Sequence, residues 1–119
     1  MTLIGAELLG IEPGAVDVAL PFREELAQQS GILHAGTIAA IADCAAGLAA
    51  QTLMPAGADV LSIEFKLNLL APAVGDRVIA RGRVVRPGRT VTVCSVEVVA
   101  VRGAAETLVA TFLGTMIAR

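Results

Sequence analysis

The chain is 119 residues long, which suits one domain and leaves no room for two. It is 55% hydrophobic and 17% charged, apolar for a protein in water, yet it holds no uninterrupted apolar run of about 18 residues of the kind that spans a membrane. Net charge is −2 and Trp and Tyr are absent, a balance that argues against a nucleic-acid partner. The opening Met1-Thr2-Leu3-Ile4 lacks the basic segment that starts a signal peptide, so the expected compartment is the cytoplasm.

In chain order, residues 3–12 and 15–20 form a predicted hairpin turned at Pro13-Gly14. Pro21 opens a short helical turn over residues 21–27, and residues 28–31 form a loop. One long helix follows over about residues 35–54. It is rich in Ala, free of Pro, and stopped by Pro55 and Gly57. Strands are predicted over residues 59–70, 76–86, 90–102 and about 107–118, with turns at Pro72–Gly75, Pro87-Gly88 and Gly103. Tight turns make neighbouring strands antiparallel. The order of hairpin, helix and a meander of three or four strands predicts an α+β domain over residues 1–119, its sheet wrapped round the helix.

The helix has two faces. At 100° per residue Ile38, Ile41, Ala45 and Leu48 fall on one side and are expected in the core. Gly36, Ala39, Ala40, Asp43, Ala46, Gly47 and Ala50 fall opposite, a stripe of small residues that would let another backbone approach. In residues 90–102 both strand faces are largely apolar: Val91, Val93, Val99 and Val101 on one, Cys94, Val96, Val98 and Ala100 on the other. A sheet covered on one side alternates more cleanly. A second copy of the chain is therefore expected on the outer face, as a homodimer or homotetramer.

Charge is unevenly spread. Up to Glu64 the sole base is Arg23, against eight acids; from Lys66 onward there are eight bases, seven of them Arg, and three acids. Arg83, Arg86 and Arg89 are candidates for binding phosphates, which the guanidinium holds in a fork; the alternative is a solvated surface. The two cysteines, Cys44 and Cys94, stand far apart in sequence, and His34 is the single His. That pattern lacks metal-ligand spacing, so no metal and no resident cofactor are expected.

The segment from His34 through Asp43 carries the chemistry. A helix starting near Ala35 leaves its first amides without intrahelical partners and favours negative charge there, a place for a developing oxyanion. Asp43, two turns in, is either a solvated residue on an exposed face or a base or nucleophile for acyl transfer.

Residues 28–43, Gln-Gln-Ser-Gly-Ile-Leu-His-Ala-Gly-Thr-Ile-Ala-Ala-Ile-Ala-Asp, resemble the signature of hotdog thioesterases of the phenylacetate-degradation (PaaI) type, related to the 4-hydroxybenzoyl-CoA thioesterases. The family pattern is Gly-x-x-His-Gly-Gly with an acid nine positions after the His. Gly31, His34, Gly36 and Asp43 match it, and Ala35 replaces the first Gly of the pair. The likeness continues through residues 62–72, Gly75-Asp76, Gly82-Arg83 and residues 110–115. It implies a hotdog fold and an acyl-CoA thioesterase acting on an aryl- or medium-chain acyl group, with CoA present as part of the substrate. It implies that Asp43 is nucleophile or general base and that the Ala35 amide polarises the thioester carbonyl. Gln28 would stand near that carbonyl, Ser62 would position water, and His34 would orient the loop. Two other functions remain open: a hotdog dehydratase or hydratase, which needs a His paired with an acid in a different pattern, and a non-catalytic acyl-CoA-binding protein.

Overall fold

The computed structural model describes residues 5–119; the start of the first predicted strand, at residues 3–4, and the opening tetrapeptide read against a signal peptide lie outside the described residues. The elements are β1 (Glu7–Glu12), β2 (Ala15–Pro21), a 3₁₀ turn (Glu24–Leu26), α1 (Ala35–Gln51), β3 (Val60–Leu69), β4 (Arg77–Pro87), β5 (Val91–Arg102) and β6 (Ala105–Ala118). The six strands form one antiparallel sheet in the order β1-β2-β4-β5-β6-β3. The sheet curls round α1, which packs against β2, β3, β4, β5 and β6. The expected α+β hotdog architecture is what the chain adopts. No helix among the described residues is long and apolar enough to cross a membrane.

The turns follow from their residues. Pro13 presets φ and Gly14 takes φ +77°, the pairing a type II turn requires, so β1 and β2 fold back as a hairpin. The amide of Gly14 is then held by the Thr52 hydroxyl at 2.7 Å, which ties the hairpin to the C-terminal end of α1. The helix ends there because Pro55 cannot continue it.

The expected meander holds for β4, β5 and β6 only. β3 does not pair with β4; it lies at the far edge beside β6. The segment between β3 and β4 is a crossover rather than a tight turn. Its amide at Leu70 donates to Val109 O of β6 at 2.8 Å, its carbonyl at Ala73 accepts from Leu33 at 3.1 Å, and its carbonyl at Asp76 accepts from Phe22 at 2.9 Å. The chain thus walks across the end of the sheet, beneath the start of the helix, before entering β4.

The buried arc of α1 is wider than the predicted one. Ile38, Ile41, Ala42, Ala45, Ala46, Ala49 and Ala50 are buried, an i, i+3, i+4 repeat along the whole helix. Ala46, Gly47 and Ala50, expected on the outer small stripe, belong inside, while Leu48 is only half-buried. The buried arc is also rotated, centred near Ala42 and Ala49 rather than Ile41 and Ala45, which brings Ala46 and Ala50 inside and leaves Leu48 at its margin. Gly36, Ala39, Ala40, Asp43 and Cys44 remain exposed or half-buried. The outer face of β5 is also partly covered by the chain itself: Val99 and Val101 are buried with Ala19 and Ile79 in a small second cluster, so the need for an outside cover is confined to the Val91 end.

One glycine sets how closely helix and sheet approach. A Cβ at Gly82 would lie 2.5 Å from the carbonyl oxygen and 2.7 Å from the carbonyl carbon of Ala45. Both atoms are helix backbone and cannot step aside. Gly82→Ala should therefore lower stability by about 1–3 kcal/mol through overpacking. An unchanged midpoint in urea unfolding would show that the helix can lift off the sheet without cost.

Candidate active site

Asp43 sits on the flank of α1 that the sheet leaves open, where it is half-buried. The Ser62 hydroxyl of β3 donates to its Oδ1 at 2.7 Å. A carboxylate accepting such a bond is held in one rotamer and keeps its second oxygen free. Ser62 Oγ also lies 3.2 Å from Sδ of Met116, its cross-strand partner on β6.

This contact depends on an irregularity in β3. In strict alternation Ser62 would share a face with Glu64, Lys66 and Asn68, and the sequence Leu-Ser-Ile-Glu-Phe-Lys-Leu-Asn-Leu alternates without a break. The register against β6 shifts between Ser62 and Glu64, which leaves Ile63 as an extra residue. This bulge turns Ser62 inward to Asp43 and Met116 while Phe65 and Leu67 also face inward. Phe65 stacks on Phe112 with ring centroids 5.0 Å apart.

The second group of site residues gathers at the N-terminal end of α1. His34 is the N-cap residue, with extended backbone (φ −61°, ψ 144°). Its amide donates to Leu26 O at 3.0 Å, and its carbonyl accepts from Thr37 and Ile38 at 3.0 and 3.2 Å. The exposed imidazole makes no capping bond, so its observed structural contribution runs through the backbone. Ala35 and Gly36, both exposed, precede the first helical donors, and their amides face outward as the open end of the helix. Gln28 is placed by a short turn: its amide donates to Ile32 O at 2.7 Å, and its carbonyl accepts from Gly31 at 2.9 Å, with Gly31 at φ +82°.

Gln28 and Ala35 line one cleft of about 320 Å³ whose apolar walls include Ile38, Leu69, Leu70 and Pro72. Asp43 and Ser62 lie outside it. The expected site residues therefore form two groups within one chain, Gln28 with Ala35 and Asp43 with Ser62. Ala35 and Asp43 are eight residues apart on a continuous helix, about 12 Å along its axis.

The candidate arginines divide as well. Arg83 lies on the outer face of the sheet, where its guanidinium pairs with Asp17 at 2.7 Å. Arg86 and Arg89 are exposed near the β4–β5 turn and have no ion-pair partner among the described residues. Cys44, next to Asp43, has its thiol pushed up by burial and by the neighbouring carboxylate. Burial pushes Cys94 up to about 11. Both thiols are thus poor nucleophiles at neutral pH.

Sequence reasoning did not find Met116, Leu69, Leu70 or the bulge at Ile63. Pro72 was visible as a turn residue, but its place in a cleft wall was not. The cleft walls come from the crossover, whose path no local pattern signals.

The model of the thioesterase superfamily matches residues 30–106, a span that holds Ala35, Asp43 and Ser62 and begins just after Gln28. A thioesterase family protein from Silicibacter pomeroyi superposes with a TM-score of 0.96 at 42% identity, covering 99% of this chain and 87% of that one. A single-site mutant of the phenylacetic acid degradation protein PaaI from Thermus thermophilus superposes at 0.83 with 30% identity, covering 98% and 96%. A 1,4-dihydroxy-2-naphthoyl-CoA hydrolase from Listeria monocytogenes is 27% identical over 80% of this chain and 77% of its own. Of two further sequence relatives, 34% and 33% identical, the chain spans 66% and 68%. A family match over more than half of the chain, on a sheet curled round one long helix, places this protein in the thioesterase superfamily as a hotdog-fold enzyme.

Proposed function

We propose that this protein hydrolyses an acyl-CoA thioester, with an aryl or medium-chain acyl group, to the free acid and CoA. The observation that carries the reading is the Asp43 carboxylate, oriented by Ser62 at 2.7 Å on the same helix whose open N-terminal amides can receive an oxyanion. The apolar cleft beside Ala35 supports an acyl group of that size and polarity.

In this reading the thioester carbonyl oxygen accepts from the Ala35 amide, with Gln28 beside it. Asp43 either takes a proton from water as the water adds to the carbonyl carbon, or adds to that carbon itself. In the first route the tetrahedral intermediate expels CoA as thiolate and the proton on Asp43 returns to the sulfur. In the second, CoA leaves an acyl–Asp43 anhydride that water then opens. Ser62 holds the carboxylate in line, and His34 fixes the loop through its backbone. The methyl of Ala35, where the family carries Gly, narrows the entrance without removing the donor.

An amide and a carboxylate about 12 Å apart along one helix cannot both lie within roughly 3 Å of one thioester. The active enzyme is therefore a homo-oligomer, dimer or tetramer, in which Asp43 of one chain works with Gln28 and Ala35 of another. CoA phosphates are held by Arg86 and Arg89, the two candidate arginines not engaged with an acid; Arg83 contributes less because Asp17 already occupies it.

Release of free thiol from a panel of acyl-CoA esters tests the activity. Asp43→Asn should reduce turnover roughly 100-fold or more while substrate still binds; near-normal turnover in the folded variant removes Asp43 from the mechanism. Alanine at Arg86 or Arg89 should weaken CoA-ester binding and flatten its salt dependence. Wild-type binding in all three single Arg→Ala proteins would reduce the basic half to solvated surface. The shared site is tested with a mixed dimer of Asp43→Asn and Ala35→Pro chains, the latter lacking the amide proton. One of its two sites carries both defects and the other none, so activity should return to about half of wild type by site counting. A mixed dimer as inactive as its parents, with Ala35→Pro still folded and dimeric, rules the shared site out.

A further inference from the structure

A second cleft, of about 280 Å³, adjoins Asp43. Its walls are Ala6, Glu7 and Leu8 at the start of β1, Val18 of β2, and Cys44 and Leu48 of α1. β1 and β3 are the two ends of the curled sheet, so this cleft and Ser62 flank the helix from opposite sides. Half-buried Cys44 is next to Asp43 in the chain and close enough in space to feel it: burial, and after it the Asp43 carboxylate, pushes the thiol up. The walls are mostly apolar, but the rim is not. Among the described residues β1 pairs with β2 alone, so its far edge carries backbone N–H and C=O groups without strand partners. Beyond Leu48 the helix leads to Leu53, which lies at the β1–β2 turn: a Cβ on Gly14 would be 3.5 Å from Leu53 and 3.7 Å from Val84 of β4. The Val84 amide donates to Gly14 O at 2.8 Å, and two residues on stands the exposed Arg86. Arg86 and Arg89 have no ion-pair partner among the described residues. A path thus runs from the carboxylate, through an apolar cleft bordered by open backbone, to two free cations.

We infer that this cleft holds the pantetheine arm of the acyl-CoA, with Asp43 at its thioester end and Arg86 and Arg89 of the same chain at its phosphate end. The assignment rests on the acyl-CoA reading of the site and adds to it a place for the leaving half of the substrate. The chemistry of the arm matches the cleft. Its methylenes and paired methyl groups suit the apolar walls, and its two amides can bond to the open edge of β1 as a neighbouring strand would. Its length matches as well. From sulfur to pyrophosphate the arm has about the backbone length of four or five residues, roughly 15 Å when extended. Asp43 to Leu53 is ten residues, about 15 Å of helix. An alkyl acyl chain fits less well, because it would cover the donors and acceptors of the strand edge and satisfy none of them. The acyl group has its own apolar cleft beside Ala35, on the other side of the reacting carbonyl.

The first test reads occupancy, not hydrolysis. Cys44 is the reporter, since Cys94 is fully buried in the core. Its alkylation by iodoacetamide is followed by peptide mass spectrometry at about pH 9, where the raised thiol still ionises in part. S-methyl-CoA carries the arm but no acyl group and no bond to hydrolyse. At ten times its dissociation constant it should slow alkylation of Cys44 roughly tenfold. Adenosine 3′,5′-bisphosphate, which has phosphates and no arm, should change the rate by less than about twofold at the same concentration. The second test fills the cleft. Leu8 is 55% exposed, so Leu8→Trp adds bulk to the wall without entering the core. KM for an acyl-CoA should rise roughly tenfold or more, while kcat/KM for the matching acyl-N-acetylcysteamine, which holds only the start of the arm, changes by less than about twofold. Undiminished alkylation in S-methyl-CoA, equal protection by the bisphosphate, or Leu8→Trp acting on both substrates as wild type does overturns the proposal. An equal loss on both substrates overturns it too and gives the cleft to the acyl group. Protection without thiol release from any acyl-CoA leaves the arm's site standing and removes the hydrolase reading; thiol release without protection does the reverse.

Discussion

The close seating of α1 on β4 at Gly82 governs the rest of the molecule. Beyond Ile38 and Ile41, the residues Ala42, Ala45, Ala46, Ala49 and Ala50 give the rest of the helix an inner face of little side-chain depth, and Gly82 removes the remaining atom between the two backbones. Burying so shallow a face requires the sheet to come close and to curl, because a flat sheet would leave the helix flanks without contacts. Curling carries β3, at the far edge, up alongside the helix, and there its Ser62 reaches Asp43. A larger residue at position 82 would therefore act first on stability, and through β3 on the carboxylate.

Much of the fold was legible because it rests on local signals. Pro13-Gly14, Pro55, Pro87-Gly88 and Gly103 punctuate the chain, and the helix between residues 35 and 51 shows its period in Ile38, Ile41 and Ala45. What stayed hidden was long-range. Nothing in residues 70–76 distinguishes a crossover from a wide turn, yet the choice decides whether β3 neighbours β4 or β6. Nothing in the alternation of residues 61–69 announces a bulge; it points Ser62 the wrong way. The bulge is imposed by two demands on one strand, since Ser62 and Phe65 both face inward although three residues apart.

The site was legible in its parts and not in its arrangement. Residue types and helix position point to Asp43 and the first amides of the helix as candidates, and the family likeness assigns roles to Asp43 and the Ala35 amide and adds Gln28 and Ser62. Distances then sort them into two groups that no reading of one chain joins. The arginines teach the same lesson. Arg83, Arg86 and Arg89 look alike in the sequence, but strand pairing of β2 with β4 places Asp17 beside Arg83 and leaves the other two, near a turn, free to meet an anion.

The separation of Ala35 from Asp43 cannot relax within the chain. An α-helix rises about 1.5 Å per residue and does not compress, and α1 is pinned at both ends, by the backbone bonds of His34 to Leu26 and by Thr52 to Gly14. Any chemistry that needs both groups must import one of them. The residues between, Gly36, Ala39 and Ala40, are small and not fully buried, so another surface can approach the flank without displacing bulky side chains. A second copy meets that requirement with least added information, because a two-fold axis supplies the missing group twice from the same sequence. In the proposed two-chain site, association and catalysis are one equilibrium: a single chain holds only half of each site, and activity follows the population of paired chains.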